Sequence, residues 1–275
     1  MKRWQKALII IILILVSITA VILVEFELTD QQTGGKINIL LLGRDAQNSI
    51  YSGNTDSITI LSIDKNTKKV SLLSIPRDSK VEIPGHGMDK INAAYGYGGI
   101  NLTTTTVENF LNIHIDYYVV IDFEEFKSIV DALGGINVNV EPQIAAYRSE
   151  LAPAGLHKLN GDQTLLYARF RQDSKGDLGR VQRHQKIIAE IIRESLETSN
   201  LPKLPSILSQ LSENTHTNVP IYDSVRLGKL LLDFDINDAP TEIITGKSQR
   251  VNGIYYLIPD KADAEKKVTE LGLRD

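Results

Sequence analysis

The chain has 275 residues, 42% of them hydrophobic and 23% charged, with a formal net charge of −4. That balance supports a folded core and excludes global disorder, and the acidic surplus lacks the basic footprint that a nucleic-acid partner requires. Cysteine is absent, which excludes disulfides, thiolate metal sites and cysteine nucleophiles together.

Ala7 to Val24 is apolar apart from Ser17 and Thr19. A helix of that length, rising about 1.5 Å per residue, nearly crosses the hydrocarbon layer of a bilayer. Lys2, Arg3 and Lys6 precede it. Basic residues stay on the cytoplasmic side, so residues 1–6 read as a cytoplasmic tail, 7–24 as a transmembrane signal anchor, and the remainder as extracellular. A cleaved signal peptide is the alternative, but Ile18-Thr19-Ala20-Val21-Ile22 makes a poor cleavage site. Residues 25–36 are polar, contain Gly34-Gly35, and read as a stalk leading to one domain over 37–275.

Ile37 to Leu42 is a continuous apolar run, as in a strand covered on both faces. Ser57 to Ile63 and Val70 to Ile75 read as two further strands, and Asp64-Lys65-Asn66-Thr67 between them supplies the turn of a hairpin. A helix is expected over Ile100 to Leu111, weakened by its threonines. Tyr117 to Ile121 follows as a strand, Phe123 to Leu133 as an amphipathic helix stopped by Gly134-Gly135, and Ile136 to Val140 as an alternating strand. The stretch from Pro142 to Leu159 reads as loop. Asn160 can cap a helix over Asp162 to Ala168, and a long helix is expected from Gly179 to about Glu197. Pro202 and Pro205 punctuate the chain before a helix near Ser224 to Leu232 and late strands at Glu242 to Thr245 and Ile254 to Leu257. The intermixing predicts an α/β domain with a mixed central sheet and helices on its faces.

Arginines gather in three segments: Arg77 in Ser74-Ile75-Pro76-Arg77-Asp78, Arg169 and Arg171 in Tyr167-Ala168-Arg169-Phe170-Arg171, and Arg180 and Arg183 in Arg180-Val181-Gln182-Arg183-His184-Gln185. The planar guanidinium fork suits phosphate oxygens and stays charged at any working pH. Arg180 and His184 are four apart and share one helix face. That face also carries Ile187, Ile188 and Ile191, so it turns inward, and cations near a core need a counter-charge. A bound pyrophosphate would supply it. The alternative is an internal network with Asp78, Asp173 or Asp177. Asp45 ends the first strand and Asp56 opens the second. If those strands are neighbours, both carboxylates stand at one end of the sheet, where α/β folds bind ligands. Two carboxylates and a diphosphate would suit Mg²⁺ (or Mn²⁺); ordinary turn and capping aspartates are the alternative. The five histidines show no HxxxH or HExxH spacing, and neither a GxSxG motif nor a Walker-type loop is present.

In order and spacing these segments resemble the LytR–CpsA–Psr family of cell-wall assembly proteins. The matching text runs from Leu40-Leu41-Leu42-Gly43-x-Asp45 through Asp56, Ser74-Ile75-Pro76-Arg77-Asp78, Lys90-Ile91-Asn92-Ala93-Ala94-Tyr95 and Gly98-Gly99. It continues through Val130-Asp131-Ala132-Leu133-Gly134-Gly135, Leu159-x-Gly161 and Tyr167-Ala168-Arg169-Phe170-Arg171 to Arg180-x-x-Arg183-x-Gln185. The resemblance implies a phosphotransferase that takes a glycopolymer (teichoic acid, capsule or another anionic glycan) from an undecaprenyl-pyrophosphate carrier and joins it to a muramic acid hydroxyl of peptidoglycan. It implies that Asp45 and Asp56 position Mg²⁺, that Arg77, Arg169, Arg171 and Arg180 grip the pyrophosphate, that Asp78 orients Arg77, and that the polyprenyl tail lies between sheet and helices. Two positions depart from the family pattern. Asn54 stands where an arginine is usual, with Arg44 nearby as a substitute charge. His184 stands where glutamine is usual; neutral it would hydrogen-bond phosphate, protonated it would add charge. A non-catalytic carrier-lipid binder, a pyrophosphatase and a transcriptional attenuator are the competing readings. The last is opposed by the extracellular placement and the acidic charge.

Overall fold

The computed structural model describes residues 35–44, 53–148, 150–173, 176–197, 199–200, 216–219 and 239–274. The signal anchor, Asp45, Pro202, Pro205 and the helix expected near Ser224 to Leu232 lie outside the described residues.

The apolar runs form the strands at the centre. β1 (Lys36–Arg44) pairs antiparallel with β2 (Thr55–Asp64), which pairs antiparallel with β3 (Lys69–Ser74). The β2–β3 turn is the one expected: Asp64 Oδ1 accepts from the backbone N–H groups of Asn66 and Thr67. β6 (Tyr117–Ile121) runs parallel to β1, β10 (Thr241–Ile243) runs parallel to β3, and the short β9 (His216–Thr217) closes the far edge. The result is a mixed six-stranded sheet in the order β10-β3-β2-β1-β6-β9.

Both faces of this sheet are apolar. On one, Leu40, Leu42, Ile58, Ile60, Leu73 and Val120 pack under α1 (Ala93–Leu111) and α6 (Lys261–Glu270), together with Val81 and Ile83 of β4 (Lys80–Ile83). On the other, Ile37, Ile39, Leu61, Ile63, Val70 and Leu72 meet Ile188, Ile192 and Leu196 of α5 (Gly176–Leu196). Each fully buried Leu or Ile contributes about 1.5–3 kcal/mol. A third cluster sits beside the sheet. It joins α2 (Phe123–Ala132), the hairpin of β7 (Ile136–Val140) and β8 (Gly155–Leu159), α3 (Pro142–Tyr147) and α4 (Gly161–Ala168) to Ile187 of α5.

Several boundaries differ from expectation. α1 starts at Ala93 rather than Ile100, bent at Gly98 and at Gly99, whose φ of 63° with ψ of −153° only glycine adopts readily. Its threonines are accommodated because Thr103 and Thr106 donate to the carbonyls of Gly99 and Leu102 one turn earlier. The Pro142–Leu159 segment holds α3 and β8 instead of loop alone. The helix ends expected at Asn160 and Gly134-Gly135 are found. Asn160 forms a capping box with Gln163, and both glycines take positive φ.

Candidate active site

The strand directions bring one set of ends together. The C-terminal ends of β1 and β6, the N-terminal end of β2 and the C-terminal ends of β3 and β10 all lie at the same pole of the sheet. A β-bulge sharpens this arrangement. Gly43 pairs with Ser57 and Arg44 with Thr55, so Asp56 is the extra residue without a cross-strand partner. Bulges re-aim side chains next to sites, and here the freed carboxylate meets Arg77.

Arg77 reaches the pole because β3 continues past its last strand residue. Ile75 N–H donates to the Ile58 carbonyl at 2.9 Å, and the chain then turns, with Ser79 N–H donating to Pro76 O at 2.9 Å. Arg77 NH1 pairs with Asp56, and its Nε lies 3.8 Å from Asp78. The 90–92 segment runs alongside, Ile91 N–H donating to Ser79 O at 2.8 Å, which sets Lys90 Nζ 2.6 Å from Asp78 Oδ1.

The first turns of α5 supply the opposite wall. Arg180 is 2% exposed and stands 2.6 Å from Asp177. Burial pushes the Asp177 carboxyl above the usual carboxylate range; the charges of Asp78 and Asp56 add to this, against the pull of Arg77 and Arg171. Asp56, Arg77, Asp78, Arg171 and Asp177 therefore form one electrostatic neighbourhood. Buried guanidinium nitrogens within it have unused hydrogen-bond capacity: Arg77 Nε, and Nε and NH2 of Arg180, the latter within ion-pair reach of Asp177 but not aligned for a hydrogen bond. Buried donors are normally satisfied; Nε of Arg148, Arg183 and Arg193 also lacks a hydrogen bond, so Arg180 is set apart by having two such nitrogens.

The remaining arginines divide. Arg171 is exposed at the pole. Arg169 caps α4 and lies over the Phe123 ring at 4.9 Å. Arg44 is beside Tyr95, NH1 to hydroxyl at 3.4 Å. Arg183, 4% exposed, is committed to the interior: NH1 pairs with Asp173 and NH2 donates to the Phe170 carbonyl, each at 2.5 Å. Arg180 and Arg183 thus face different carboxylates from one helix, Asp177 at the pole and the buried Asp173.

His184 is partly buried, and its Nε2 lies 3.2 Å from the Ala168 carbonyl. A carbonyl only accepts, so Nε2 carries the proton and Nδ1 of the neutral ring has none to donate. Burial, with the charges of Arg183 and Arg171, lowers its pKa to about 4, against the Ala168 hydrogen bond and Asp56. Between about pH 6.5 and 4 the unfolded chain gains a proton there that the folded chain refuses, so stability falls as the pH falls through that window. The loss approaches about 3 kcal/mol for this one group. Asp177 titrates with the opposite sign, so the difference between variants is the informative quantity. Urea unfolding from pH 7 to 4.5 should show a steeper loss for wild type than for His184→Gln; parallel curves would contradict the assignment.

Asp177 was legible only as a counter-charge, and Lys90 only as part of the Lys90-Ile91-Asn92-Ala93-Ala94-Tyr95 resemblance. Nothing in the spacing signalled that Asp177 shares a field with Asp56 and Asp78. The donors suited to a cation at the pole are carboxylate oxygens, and among the described residues no ready group of three His, Cys, Asp or Glu exists. Asp56, the described carboxylate expected to meet a divalent ion, is paired here with Arg77.

Residues 19–272 match the LytR_cpsA_psr family. The polyisoprenyl-teichoic acid–peptidoglycan teichoic acid transferase TagU of Halalkalibacterium halodurans is 35% identical over 250 residues, covering 90% of this chain and 81% of that protein. The crystal structure of Bacillus subtilis TagV superposes with a TM-score of 0.73 at 34% identity, over 86% of this chain and 95% of that one. The family protein YwtF (TagT), solved with bound octaprenyl pyrophosphate lipid, gives a TM-score of 0.68 at 28% identity over 86% and 89% of the two chains. With the family match spanning nearly the whole chain and the fold shared, this protein belongs to the LytR_cpsA_psr family.

Proposed function

We propose that this protein is a phosphotransferase that moves an anionic, teichoic-acid-like glycopolymer from a polyprenyl-pyrophosphate carrier to peptidoglycan. The names of its relatives and the octaprenyl pyrophosphate seen in YwtF support the substrate class. The observation that carries the reading in this chain is Arg180, almost fully buried with Nε and Nη2 making no hydrogen bond, and joined through its ion pair with Asp177 to the field of Arg77 and Arg171.

In this reading Arg77, Arg171 and Arg180 hold the pyrophosphate oxygens, and Arg169 and Arg44 stand at the rim. Asp56 and Asp78 fix Arg77 between them. Phosphoryl transfer depends chiefly on positioning and charge neutralisation, which fixed guanidinium groups provide in a partly dry site. A muramic acid hydroxyl oxygen bonds to the sugar-linked phosphorus, the P–O–P bridge breaks, polyprenyl phosphate leaves with the bridging oxygen, and the hydroxyl proton ends on that leaving phosphate. Mg²⁺ or Mn²⁺, held by Asp56 and Asp45, would neutralise further pyrophosphate charge. The half-buried side chains of Leu41, Tyr117 and Val119, facing Ile188 and Ile192, suit a polyprenyl tail. Residues 7–24 would anchor the domain in the membrane that carries the donor, raising its effective concentration. The test incubates the full chain in detergent with a polyprenyl-pyrophosphate glycan, peptidoglycan oligomers and Mg²⁺. Mass spectrometry should find glycan phosphate joined to the acceptor; lipid binding without an adduct across several glycans would overturn the reading.

A further inference from the structure

An aromatic surface borders the pole and takes no part in the reading above. β5 (Gly87–Lys90) returns antiparallel to β4, and the β4–β5 turn carries His86. The His86 ring stacks on Tyr97 with centroids 4.4 Å apart and planes 3° from parallel. Tyr97 is 49% exposed, so with His86 covering one face its other face meets solvent. Gly96 and Gly98 flank it; a Cβ on Gly96 would meet Asn54 Oδ1 at 3.0 Å and one on Gly98 would meet the Leu102 side chain at 2.7 Å. Its hydroxyl donates to Asp89 Oδ2 at 2.7 Å. The hydroxyl of Tyr256, on β11 (Ile254–Pro259), donates to Asp89 Oδ1 at 3.2 Å. Lys80 Nζ lies 5.0 Å from the Tyr256 ring centre.

This is an expensive way to hold an exposed ring if it has no ligand. Tyr97 is fixed at its face by His86 and at its edge by Asp89, so a partner meets a ring already immobilised. Burial raises the Asp89 pKa, but hydrogen bonds from Tyr97, the Lys90 N–H and Tyr256 outweigh it and keep the carboxylate ionised. An anion would meet that carboxylate, and a cation would meet Lys80 and Lys90. A neutral pyranose fits both: its C–H face lies on the electron-rich face of a phenol ring, and its hydroxyls pair with carboxylate and phenol oxygens.

The position selects the strand. Asp89 directly precedes Lys90, whose ammonium touches Asp78, and Gly53, three residues before Asp56, approaches Gly96 so closely that a Cβ would sit 2.8 Å from its Cα. The platform therefore belongs to the α1 and β4 side of the sheet, whereas α5 and the apolar face suited to the polyprenyl tail lie on the other. Attacking and leaving oxygens in phosphoryl transfer stand roughly in line. If polyprenyl phosphate leaves on the α5 side, the attacking hydroxyl arrives from the platform side.

Resting on the transferase reading, we propose that Tyr97, braced by His86 and Asp89, is a stacking subsite for a neutral N-acetylglucosamine ring of the peptidoglycan glycan strand that accepts the polymer. The test uses full chain in detergent and a lipid-free tetrasaccharide of alternating N-acetylglucosamine and N-acetylmuramic acid. Saturation-transfer NMR should show the sugar protons contacting wild-type protein and Tyr97→Phe, which keeps the ring, but not Tyr97→Ala. In steady-state transfer, Tyr97→Ala should raise the acceptor KM about tenfold, equivalent to about 1.4 kcal/mol, with the donor KM unchanged. Thermal unfolding of the variants checks that the exposed substitution leaves the fold intact. A wild-type acceptor KM in Tyr97→Ala would overturn the proposal, as would a rise confined to the donor KM, which would give the ring to the donor glycan. Should wild type bind the tetrasaccharide through Tyr97 yet transfer nothing, the transferase reading fails and the subsite stands.

Discussion

Arg77→Ala should lower transfer by about a thousandfold while leaving the domain folded. Removing one preorganised donor from a developing oxyanion costs about 10²–10³ in rate, and Arg77 also neutralises Asp56 and Asp78, which would otherwise repel the incoming pyrophosphate. Its side chain is 23% exposed, so water can enter and solvate the carboxylates left behind. The structural loss is therefore small, within about 1 kcal/mol as for partly exposed ion pairs. Arg77→Lys should recover little, because a point charge on a flexible stem cannot span two phosphate oxygens as the planar fork does. Kinetics at saturating donor separate the outcomes. A fall in kcat with a normal melting curve supports a role in the transition state; an unchanged kcat would remove Arg77 from the site.

Arg183→Ala should do the reverse, destabilising the fold before any effect on chemistry can be read. The arginine and Asp173 are 4% and 3% exposed, and the guanidinium also satisfies the Phe170 carbonyl. Deleting it leaves a buried carboxylate without its cation, a change that costs about 3–5 kcal/mol, a large part of a domain's usual stability of about 5–15 kcal/mol. Chemical denaturation of the full chain should show this loss, and replacing both partners with apolar residues of similar volume should restore much of it. A wild-type midpoint in Arg183→Ala would mean that Arg183 is free to serve the ligand instead. Arg180 and Arg183 sit three apart on one helix, yet Arg183 donates from both terminal nitrogens to internal partners, whereas Nε and Nη2 of Arg180 make no hydrogen bond.

Much of the fold was legible because apolar runs and turn chemistry agree locally. Ile37 to Leu42, the Asp64 turn, Tyr117 to Ile121 and the Asn160 cap all appear where hydrophobic pattern and capping place them. What escaped lacks such patterns. β4 and β5 are four residues each and half charged, and α6 shows only Ala264 and Val268 as an apolar stripe in a lysine-rich sequence. For the site, the neighbouring ends of β1 and β2 followed if the strands paired. The bulge that frees Asp56 did not, because it is a property of the register between two strands. Likewise, Asp177 and Asp173 are both acidic residues near arginines in sequence; only packing decides that one senses Asp56 and Asp78 while the other is sealed against Arg183.

The fate of the sugar-linked phosphorus tests the central claim most directly. A lipid-linked donor radiolabelled only in the phosphate joined to the glycan would be incubated with the full chain, Mg²⁺ and peptidoglycan oligomers, and the products separated into lipid and acceptor fractions. The account predicts label in the peptidoglycan fraction, polyprenyl monophosphate in the lipid fraction, and neither with Arg77→Ala. Label retained in polyprenyl pyrophosphate while glycan reaches the acceptor would mean that the sugar–oxygen bond breaks instead, and would contradict a phosphotransferase at this pole.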